Sequence, residues 1–266
     1  MNVLKFNEKV WEQGRALYRD MPWRNNTEPY FVLVSELMLQ QTQVDRVMPK
    51  FEVFMHTFPT ITDLAAAPLS DVLTVWSGLG YNRRAKFLHE AARKVVAEYS
   101  SKIPDTYEGL VSLPGIGPNT AGAILAYSFN QPVIFIETNI RTVYFHHFFE
   151  DQPSVTDTTL KELAAKTIDK EHPREWYWAL MDYGSFLKKK GAGRIDKSSH
   201  YKKQAPIKGS LREVRGLILK ALAQRDYTEP DLQAFLPNDS RFAVALAALK
   251  HEGLVSQTDG RLHLTR

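Results

Sequence analysis

The chain has 266 residues, of which 44% are hydrophobic and 24% charged, and its formal net charge is +4. This balance is typical of a folded globular protein with two or three packed units, and it excludes a chain that is disordered throughout. No apolar run approaches the roughly 18 residues that a membrane helix needs, and the charged, amphipathic N-terminus is unlike a signal peptide. We therefore expect a soluble, intracellular protein.

Cysteine is absent from the sequence. Disulfides, thiol catalysis and every cysteine-ligated metal or iron–sulfur site are therefore excluded. The eight histidines show no ligand spacing, because His146 and His147 are adjacent and the others are scattered. No metal site built from side chains is predicted.

Helical periodicity dominates from the N-terminus to about residue 187. Residues 59–63 and 104–108 each combine a proline with a capping side chain and a carboxylate three residues later, which predicts helix starts. The run PVIFI at 132–136 has the composition of a strand, but no comparable strand lies nearby in the sequence. We predict an all-α domain in which this run is a buried extended connector.

The composition changes at residues 188–209, which are rich in lysine, glycine and serine and predict a basic linker at a domain boundary. The segment from Phe186 to Lys208 contains eight Lys and Arg residues and one Asp, so its net charge is +7 and that of the rest of the chain is −3. Such a concentration of charge suggests a polyanion partner, and a solvated linker is the alternative.

Residues 210–266 contain three short helical patterns followed by a hairpin that turns at Asp259 and Gly260. This order predicts a winged-helix-like module. Such modules bind DNA or serve as protein contacts, and the nearly neutral charge of this one leaves both functions open.

The stretch SLPGIGPNTAGAILAYSF at 112–129 predicts a tight turn between two helices. Gly115 and Gly117 allow a sharp turn with exposed N–H groups, and Pro118 suits the first turn of the following helix. N–H groups at a helix N-terminus form a site for a phosphate oxygen. A purely structural turn is the alternative.

These motifs resemble a known family. LPGIGPNTAGAIL, followed about twenty residues later by an acidic residue, Thr138, Asn139 and an arginine, resembles the helix-hairpin-helix superfamily of DNA glycosylases that includes endonuclease III and MutY. SELMLQQTQV and SGLGYNRRA are similar to the MutY-type adenine DNA glycosylase branch in particular. The resemblance runs from about Met21 to Leu187.

The resemblance implies an all-α, two-domain helix-hairpin-helix glycosylase fold with a DNA cleft. Its terminal helical domain would comprise residues 1–27 and 136–187. The six-helix domain would span 28–135, with the helix-hairpin-helix motif at about 105–128. The basic linker at 188–209 and a C-terminal winged-helix-like domain at 210–266, helical with a small β hairpin, would follow.

The same resemblance assigns two catalytic carboxylates. Glu36 matches the residue that protonates a flipped adenine at N7, and burial among apolar neighbours would raise its pKa as that role requires. Glu137 stands at the superfamily's catalytic aspartate, where the helix dipole favours the ionised form that stabilises a sugar cation. Because the family has Asp there, the extra methylene could weaken or abolish activity, as a misplacement of about 1 Å can cost about a hundredfold in rate. Capping of the helix by Glu137, and an ordinary buried pairing of Glu36, are the alternatives.

Further residues are assigned by position. Asn119 replaces the Schiff-base lysine of endonuclease III-type enzymes, so water should be the nucleophile and lyase activity should be absent. Asn139 matches a residue that orients water or the DNA backbone, and an ordinary helix-start residue is the alternative. Gln41 and Tyr81 match residues wedged into the duplex during base flipping, and for Tyr81 a core tyrosine is the alternative. Phosphate contacts are suggested at Arg83, Arg84 and Lys86, for which a solvated helix face is the alternative. The glycine turn and the basic segment described above add Gly115, Gly117, Lys188, Lys189 and Lys190.

Two family features are missing. The positions aligned with the four cluster cysteines are Lys188, Ile195, Ser198 and Gln204, so the iron–sulfur cluster cannot form. The winged-helix-like module replaces the Nudix-like domain that recognises 8-oxoguanine opposite the adenine. A monovalent cation on the hairpin carbonyls is the only cofactor left open.

The expected function is that of a monofunctional DNA glycosylase of base excision repair. It would remove a mispaired or modified base from double-stranded DNA, most readily adenine opposite G or 8-oxoguanine, because protonation by Glu36 is purine chemistry. One alternative removes thymine or a modified pyrimidine, for example from G·T mispairs. Another is a non-catalytic DNA-binding protein derived from a glycosylase. The expected location is the cytoplasm, in association with the nucleoid, or the nucleus in a eukaryote.

Overall fold

The structure is a computed structural model that describes residues 1–152, 155–193, 206–236 and 239–266. Fifteen helices and three short strands lie in this part of the chain. The helices are α1 (Val3–Ala16), α2 (Pro22–Asn25), α3 (Pro29–Leu39), α4 (Val44–Thr57), α5 (Ile61–Ala66), α6 (Leu69–Trp76), α7 (Arg83–Glu98), α8 (Tyr107–Val111), α9 (Pro118–Phe129), α10 (Thr138–Phe148), α11 (Asp157–Thr167), α12 (Pro173–Lys189), α13 (Leu211–Leu222), α14 (Glu229–Phe235) and α15 (Phe242–His251). The strands are β1 (Tyr227–Thr228), β2 (Val255–Thr258) and β3 (Arg261–Leu264).

The predicted helix starts and the non-helical connector are confirmed, although only Phe135 and Ile136 of the connector are buried. Thr60 and Asp63 form a reciprocal capping box that begins α5, and residues 131–137 form no helix or strand before α10. Residues 28–135, all of them described, contain seven helices rather than the predicted six. Pro68 lies between α5 and α6. A proline disfavours the helical conformation of the residue before it, so residues 61–76 form two short helices instead of one.

The chain forms two compact units. The first comprises Met1–Val32, Asp105–Val111 and Ile116–Lys203, and the second comprises Leu33–Pro104, Ser112–Gly115 and Gln204–Arg266. The C-terminal module, residues 210–266, therefore belongs to the same unit as Leu33–Pro104, which we call the central helices, although the sequence predicted the module as a separate domain. The predicted domain boundaries stay a prediction.

In the first unit, α12 packs against both α1 and α10. Trp176 is fully buried there, and its ring lies 6.2 Å from that of Phe6. A buried ion cluster joins the same elements, because Arg24 contacts both carboxylate oxygens of Asp182, at 2.7 and 3.0 Å, and Arg19 contacts Oδ1 at 2.6 Å. A buried charge needs an opposite charge beside it, and these ion pairs tie the segment before α3 to α12.

In the second unit, α7 packs against α5 and α6 around the fully buried Trp76. The C-terminal module has the predicted three helices and hairpin, and a further short strand, β1, which the sequence did not predict. The strand order is β1-β3-β2, and both pairings are antiparallel. The all-α fold with a small β hairpin is thus confirmed. No described helix is long and apolar enough to cross a membrane.

Candidate active site

Glu137 is the N-cap residue of α10. The extended connector delivers it with φ −110° and ψ −179°, and its Oε1 accepts hydrogen bonds from the backbone N–H groups of Asn139 (2.8 Å) and Ile140 (3.3 Å). A capping side chain satisfies N–H groups that have no partner within the helix. The carboxylate is therefore held in one position at the start of α10, and the capping considered from the sequence is present.

The pKa of Glu137 is raised above the ordinary value of a glutamate. Burial of the carboxylate raises its pKa, and this effect outweighs the N–H groups of Asn139 and Ile140 and the charge of Lys188, all of which lower it. The helix terminus does favour the ionised form, as expected. Desolvation of the carboxylate acts against this and is the larger effect, so the net shift of the pKa is upward.

Lys188 lies beside this carboxylate, in the last turn of α12. Its Nζ donates to Oδ1 of Asn139 at 3.4 Å, and the backbone N–H of Asn139 donates to Glu137. The sequence predicted only a phosphate contact for Lys188, so its place near Glu137 was missed. The spacing of 51 residues along the chain gave no signal for it.

The hairpin between α8 and α9 uses its two glycines differently. Gly115 has φ +78°, and a Cβ there would lie 2.7 Å from the Cβ of Phe87. Gly117 caps α9 with an ordinary φ of −88°, and a Cβ there would meet no atom within 4 Å. The backbone conformation and packing thus explain why residue 115 is a glycine, but they do not explain the glycine at position 117. Because Gly117 has no side chain, a ligand can approach the exposed N-terminus of α9 closely. Asn119 is exposed in the first turn of this helix.

Glu36 lies in α3 of the second unit and is half-buried between buried Ser35 and Leu37. The predicted rise of its pKa stays a prediction. Gln41, which was predicted to enter the duplex, is exposed just beyond α3 and has φ +57°. A positive φ is uncommon for a residue other than glycine and is often found at functional sites.

Tyr81 also has a left-handed backbone, with φ +48°, and follows Gly80 at φ +75°. Trp76 Nε1 donates to the carbonyl of Gly80 at 3.2 Å, and Arg84 Nη2 donates to the same oxygen at 3.0 Å. The loop that carries the second predicted wedge residue is therefore fixed along its backbone.

Arg84 was predicted to contact phosphate, but the structure gives it another task. It is only 7% exposed, and its Nη1 donates to the carbonyls of Leu37 (2.7 Å), Met38 (2.7 Å) and Gln40 (2.6 Å). Burial lowers its pKa to about 10. The guanidinium joins the end of α3 to the loop of Tyr81, so the predicted phosphate contact was wrong.

The other basic residues are divided between surface and internal contacts. Arg83 is exposed, with its guanidinium 5.3 Å from the ring centre of Phe87. Lys86 donates to the carbonyl of Glu252 at 2.6 Å rather than facing solvent. Lys189 and Lys190 are exposed at the end of α12. The later basic residues of the predicted linker, at 194–205, lie outside the described residues.

No group of three or more histidine, aspartate or glutamate residues that could hold a metal ion occurs within the described ranges. The iron–sulfur cluster of the resembled family does not fit this chain, because the sequence contains no cysteine to bind it. Of the four aligned positions, Lys188 is described, and Ile195, Ser198 and Gln204 lie outside the described residues.

A glycine hairpin that leads into an exposed helix N-terminus, and a capped carboxylate at the start of a second helix, are the features by which the sequence resembles the helix-hairpin-helix class. Residues 34–166 match the family model of the HhH-GPD superfamily base excision DNA repair proteins, and the chain belongs to this family.

Two relatives of known name to which the chain is similar are both adenine DNA glycosylases. The adenine DNA glycosylase of Mycolicibacterium smegmatis is 35% identical over 274 residues, covering 92% of this chain and 91% of the relative. The adenine DNA glycosylase of Buchnera aphidicola (subspecies Baizongia pistaciae) is 34% identical over 173 residues, and the match spans 64% of this chain and about half, 48%, of that relative. Among solved structures, a thermostable thymine-DNA glycosylase matches with a TM-score of 0.65 and 25% identity, covering 69% of this chain and 86% of the other.

Proposed function

We propose that this protein is a monofunctional DNA glycosylase that removes adenine from mispairs with G or 8-oxoguanine in double-stranded DNA. The anchored carboxylate of Glu137 is the observation that carries the proposal, because glycosidic cleavage needs a fixed negative charge near the sugar. The similarity to adenine DNA glycosylases over 92% of the chain supports adenine as the base.

The chemistry divides between two glutamates. Cleavage of the N-glycosidic bond builds positive charge on the sugar and negative charge on the departing base. Glu36 protonates the adenine at N7, and ionised Glu137 stabilises the sugar cation until water attacks it. Because the two residues are needed in opposite protonation states, the rate should depend on pH as a bell-shaped curve.

The raised pKa of Glu137 opposes its proposed role, since a cation stabiliser must be ionised at the working pH. The two backbone N–H groups and Lys188 act against burial and favour the charged form. Lys188 thus has a proposed task at the site, in addition to any contact with phosphate.

Asn119 supports hydrolysis without strand cleavage. It occupies the position of the Schiff-base lysine and its amide cannot attack the sugar as an amine does. A monovalent cation on the hairpin carbonyls is also compatible with the proposal. Borohydride reduces a Schiff base between protein and DNA to a stable covalent adduct, and no such adduct should form here. An adduct that forms with wild type and disappears in Lys188→Gln would instead show that Lys188 acts as the nucleophile.

A second candidate is removal of thymine from a G·T mispair. The match to a thymine-DNA glycosylase structure favours it. The half-buried carboxyl of Glu36 favours adenine, because thymine has no N7 to protonate. The two substrates are separated by one assay.

That assay is single-turnover base release from labelled duplexes that carry A, T, U or hydroxymethyluracil opposite G or 8-oxoguanine. Abasic products are cleaved with hot alkali, and the enzymes are wild type, Glu36→Gln, Glu137→Gln and Glu137→Asp. Exposed Glu162→Gln is the matched control, since it makes the same change on the surface of α11.

Adenine release that is lost in Glu36→Gln and Glu137→Gln but kept in Glu162→Gln would support the proposal. Thymine release independent of Glu36 would favour the second candidate. If only Glu137→Asp cuts, the natural protein is a binder in which one methylene has suppressed catalysis. If no variant releases any base, the proposed function is wrong.

A further inference from the structure

Tyr81 contacts the C-terminal module directly. The guanidinium of Arg212, in the first turn of α13, donates a hydrogen bond to the Tyr81 hydroxyl and lies over the ring at 5.2 Å from its centre. The guanidinium of Arg84 lies 5.5 Å from the same ring centre. One cation near this ring belongs to the central helices, and the other comes from the module.

The backbone carbonyls of Gly80 and Tyr81 both accept hydrogen bonds, the second from the backbone N–H of Arg84 at 2.9 Å, which leaves the side chain of Tyr81 as the part that can move. Gly80 is held by Trp76 and Arg84, and Tyr81 has its left-handed φ. Side-chain rotation therefore determines where the ring points. Arg212 holds the far end of that side chain, at the hydroxyl.

The module is anchored beside this loop by a second contact. Lys86, one turn into α7, donates to the carbonyl of Glu252 at 2.6 Å, and Glu252 forms a two-point ion pair with Arg215 of α13 at 2.9 and 2.5 Å. A Cβ on Gly253 would lie 2.8 Å from Lys86 Nζ. The position of Arg212 over Tyr81 is thus fixed by a packed contact rather than by one flexible side chain.

We propose that Arg212 is a positioning residue for Tyr81, so that the C-terminal module takes part in base flipping by holding the ring in the orientation that enters the duplex. This inference rests on the proposed function for its substrate. It assigns the module a role that depends on one contact, whether or not the module binds DNA itself. Arginine combines a planar face for the ring with several N–H donors for the hydroxyl, whereas lysine offers a point charge alone.

The matched control is Arg225, whose guanidinium lies 4.5 Å from the ring centre of Tyr227 in the same module. Each of the variants Arg212→Ala and Arg225→Ala removes a guanidinium from a tyrosine ring. The ring is that of Tyr81 in the first variant and that of Tyr227 in the second. Arg212→Lys keeps the charge at the first position. Thermal unfolding of every variant shows whether the fold is retained.

The test uses the whole chain and two duplexes. One carries 2-aminopurine as the target base, whose fluorescence rises when it leaves the stack, and the other carries adenine at the same position for the release assay. Arg212→Ala should reduce the fluorescence change and the single-turnover release of adenine by about tenfold, the loss expected for a hydrogen bond with a ring contact. Affinity for an undamaged duplex should stay the same. Arg212→Lys should recover part of the loss, and Arg225→Ala should behave as wild type.

A double-mutant cycle separates positioning from general destabilisation. In a Tyr81→Ala background, Arg212→Ala should have no further effect, because its target is gone. If the effects of the two substitutions add, or if Arg212→Ala and Arg225→Ala reduce flipping equally, the inference is wrong. The fluorescence change does not require cleavage, so the inference can fail while adenine is still released, and flipping can be measured even if no base is removed.

Discussion

Gly184 of α12 lies so close to Asn139 of α10 that a Cβ on the glycine would come within 2.1 Å of the asparagine carbonyl oxygen. The obstacle is backbone and cannot rotate away. The glycine therefore allows α12 to approach the turn that carries Glu137 and Asn139.

Gly184→Ala should move the first turn of α10. Overpacking of this kind costs about 3 kcal/mol of stability, and a shift of about 1 Å in Glu137 should reduce single-turnover base release by about a hundredfold. Gly14→Ala is the control. A Cβ on this residue of α1 would lie 2.3 Å from the Cβ of Ala179, which is also on α12 but five residues before Gly184. Comparable stability losses with a rate loss only in Gly184→Ala are expected; equal rates would contradict this account.

Gly117→Ala should weaken DNA binding without unfolding the protein. Its backbone is in a region open to alanine and its Cβ meets nothing, so stability should change by no more than about 1 kcal/mol. A phosphate at the helix N-terminus would meet the new methyl group, and duplex affinity should fall about tenfold. Gly115→Ala should instead lower the melting temperature, because of its positive φ and its contact with Phe87. Unchanged affinity in Gly117→Ala would exclude a phosphate at this turn.

Lys188→Gln should shift the acid limb of the rate–pH profile to higher pH. Burial raises the pKa of Glu137 and Lys188 lowers it, so loss of the lysine raises that pKa further. Glu137 must be ionised for the proposed reaction, so activity is lost as pH falls through its pKa, and the loss should begin at a higher pH in the variant. Lys189→Gln, which changes the charge equally at the next residue, is the control. Single-turnover rates across pH at constant ionic strength test this, and identical profiles would show that Lys188 does not act on Glu137.

Arg84→Lys should destabilise the fold although the charge is kept. Lysine cannot reproduce the planar fork that reaches three carbonyls at the end of α3 and that of Gly80. Unsatisfied buried carbonyls should cost about 3 kcal/mol. Exposed Arg83→Lys should change stability by no more than about 0.5 kcal/mol. Urea unfolding compares the two, and equal midpoints would mean that Arg84 does not fix the loop.

The lysines at the end of α12 test the basic segment as a DNA contact. Replacing Lys189 and Lys190 by Ala should weaken binding to all duplexes alike and lower the salt dependence, by about 0.9 in the log–log slope for each phosphate that a lysine no longer neutralises. Lys161 and Lys166 are exposed on α11 and give a double variant of the same charge. If both pairs change the slope equally, only net charge matters at this end of α12.

Features that depend on near neighbours along the chain could be predicted from the residue pattern. The capping box at Thr60 and Asp63 and the glycine turn before Pro118 each involve residues within about four positions, so local patterns predicted them. Capping by Glu137 is equally local, and the sequence offered it as the alternative to a catalytic role. The motifs around Glu36 and Tyr81 likewise identified the family without a structure. Gly184 carried a weak signal, since glycine inside a helix is unfavourable unless something must approach closely.

The surroundings of each charged side chain depend on the packing of distant segments and could not be predicted from the residue pattern. Arg84 and Arg83 are adjacent in sequence, yet the first is buried among carbonyls and the second is exposed. The net effect on the pKa of Glu137 depends on its burial and on Lys188, which is 51 residues away in sequence. Arg212 meets Tyr81 across 131 residues. Desolvation and through-space contacts have no sequence period, and for this reason the pattern of residues identified the catalytic candidates but not their electrostatic environment.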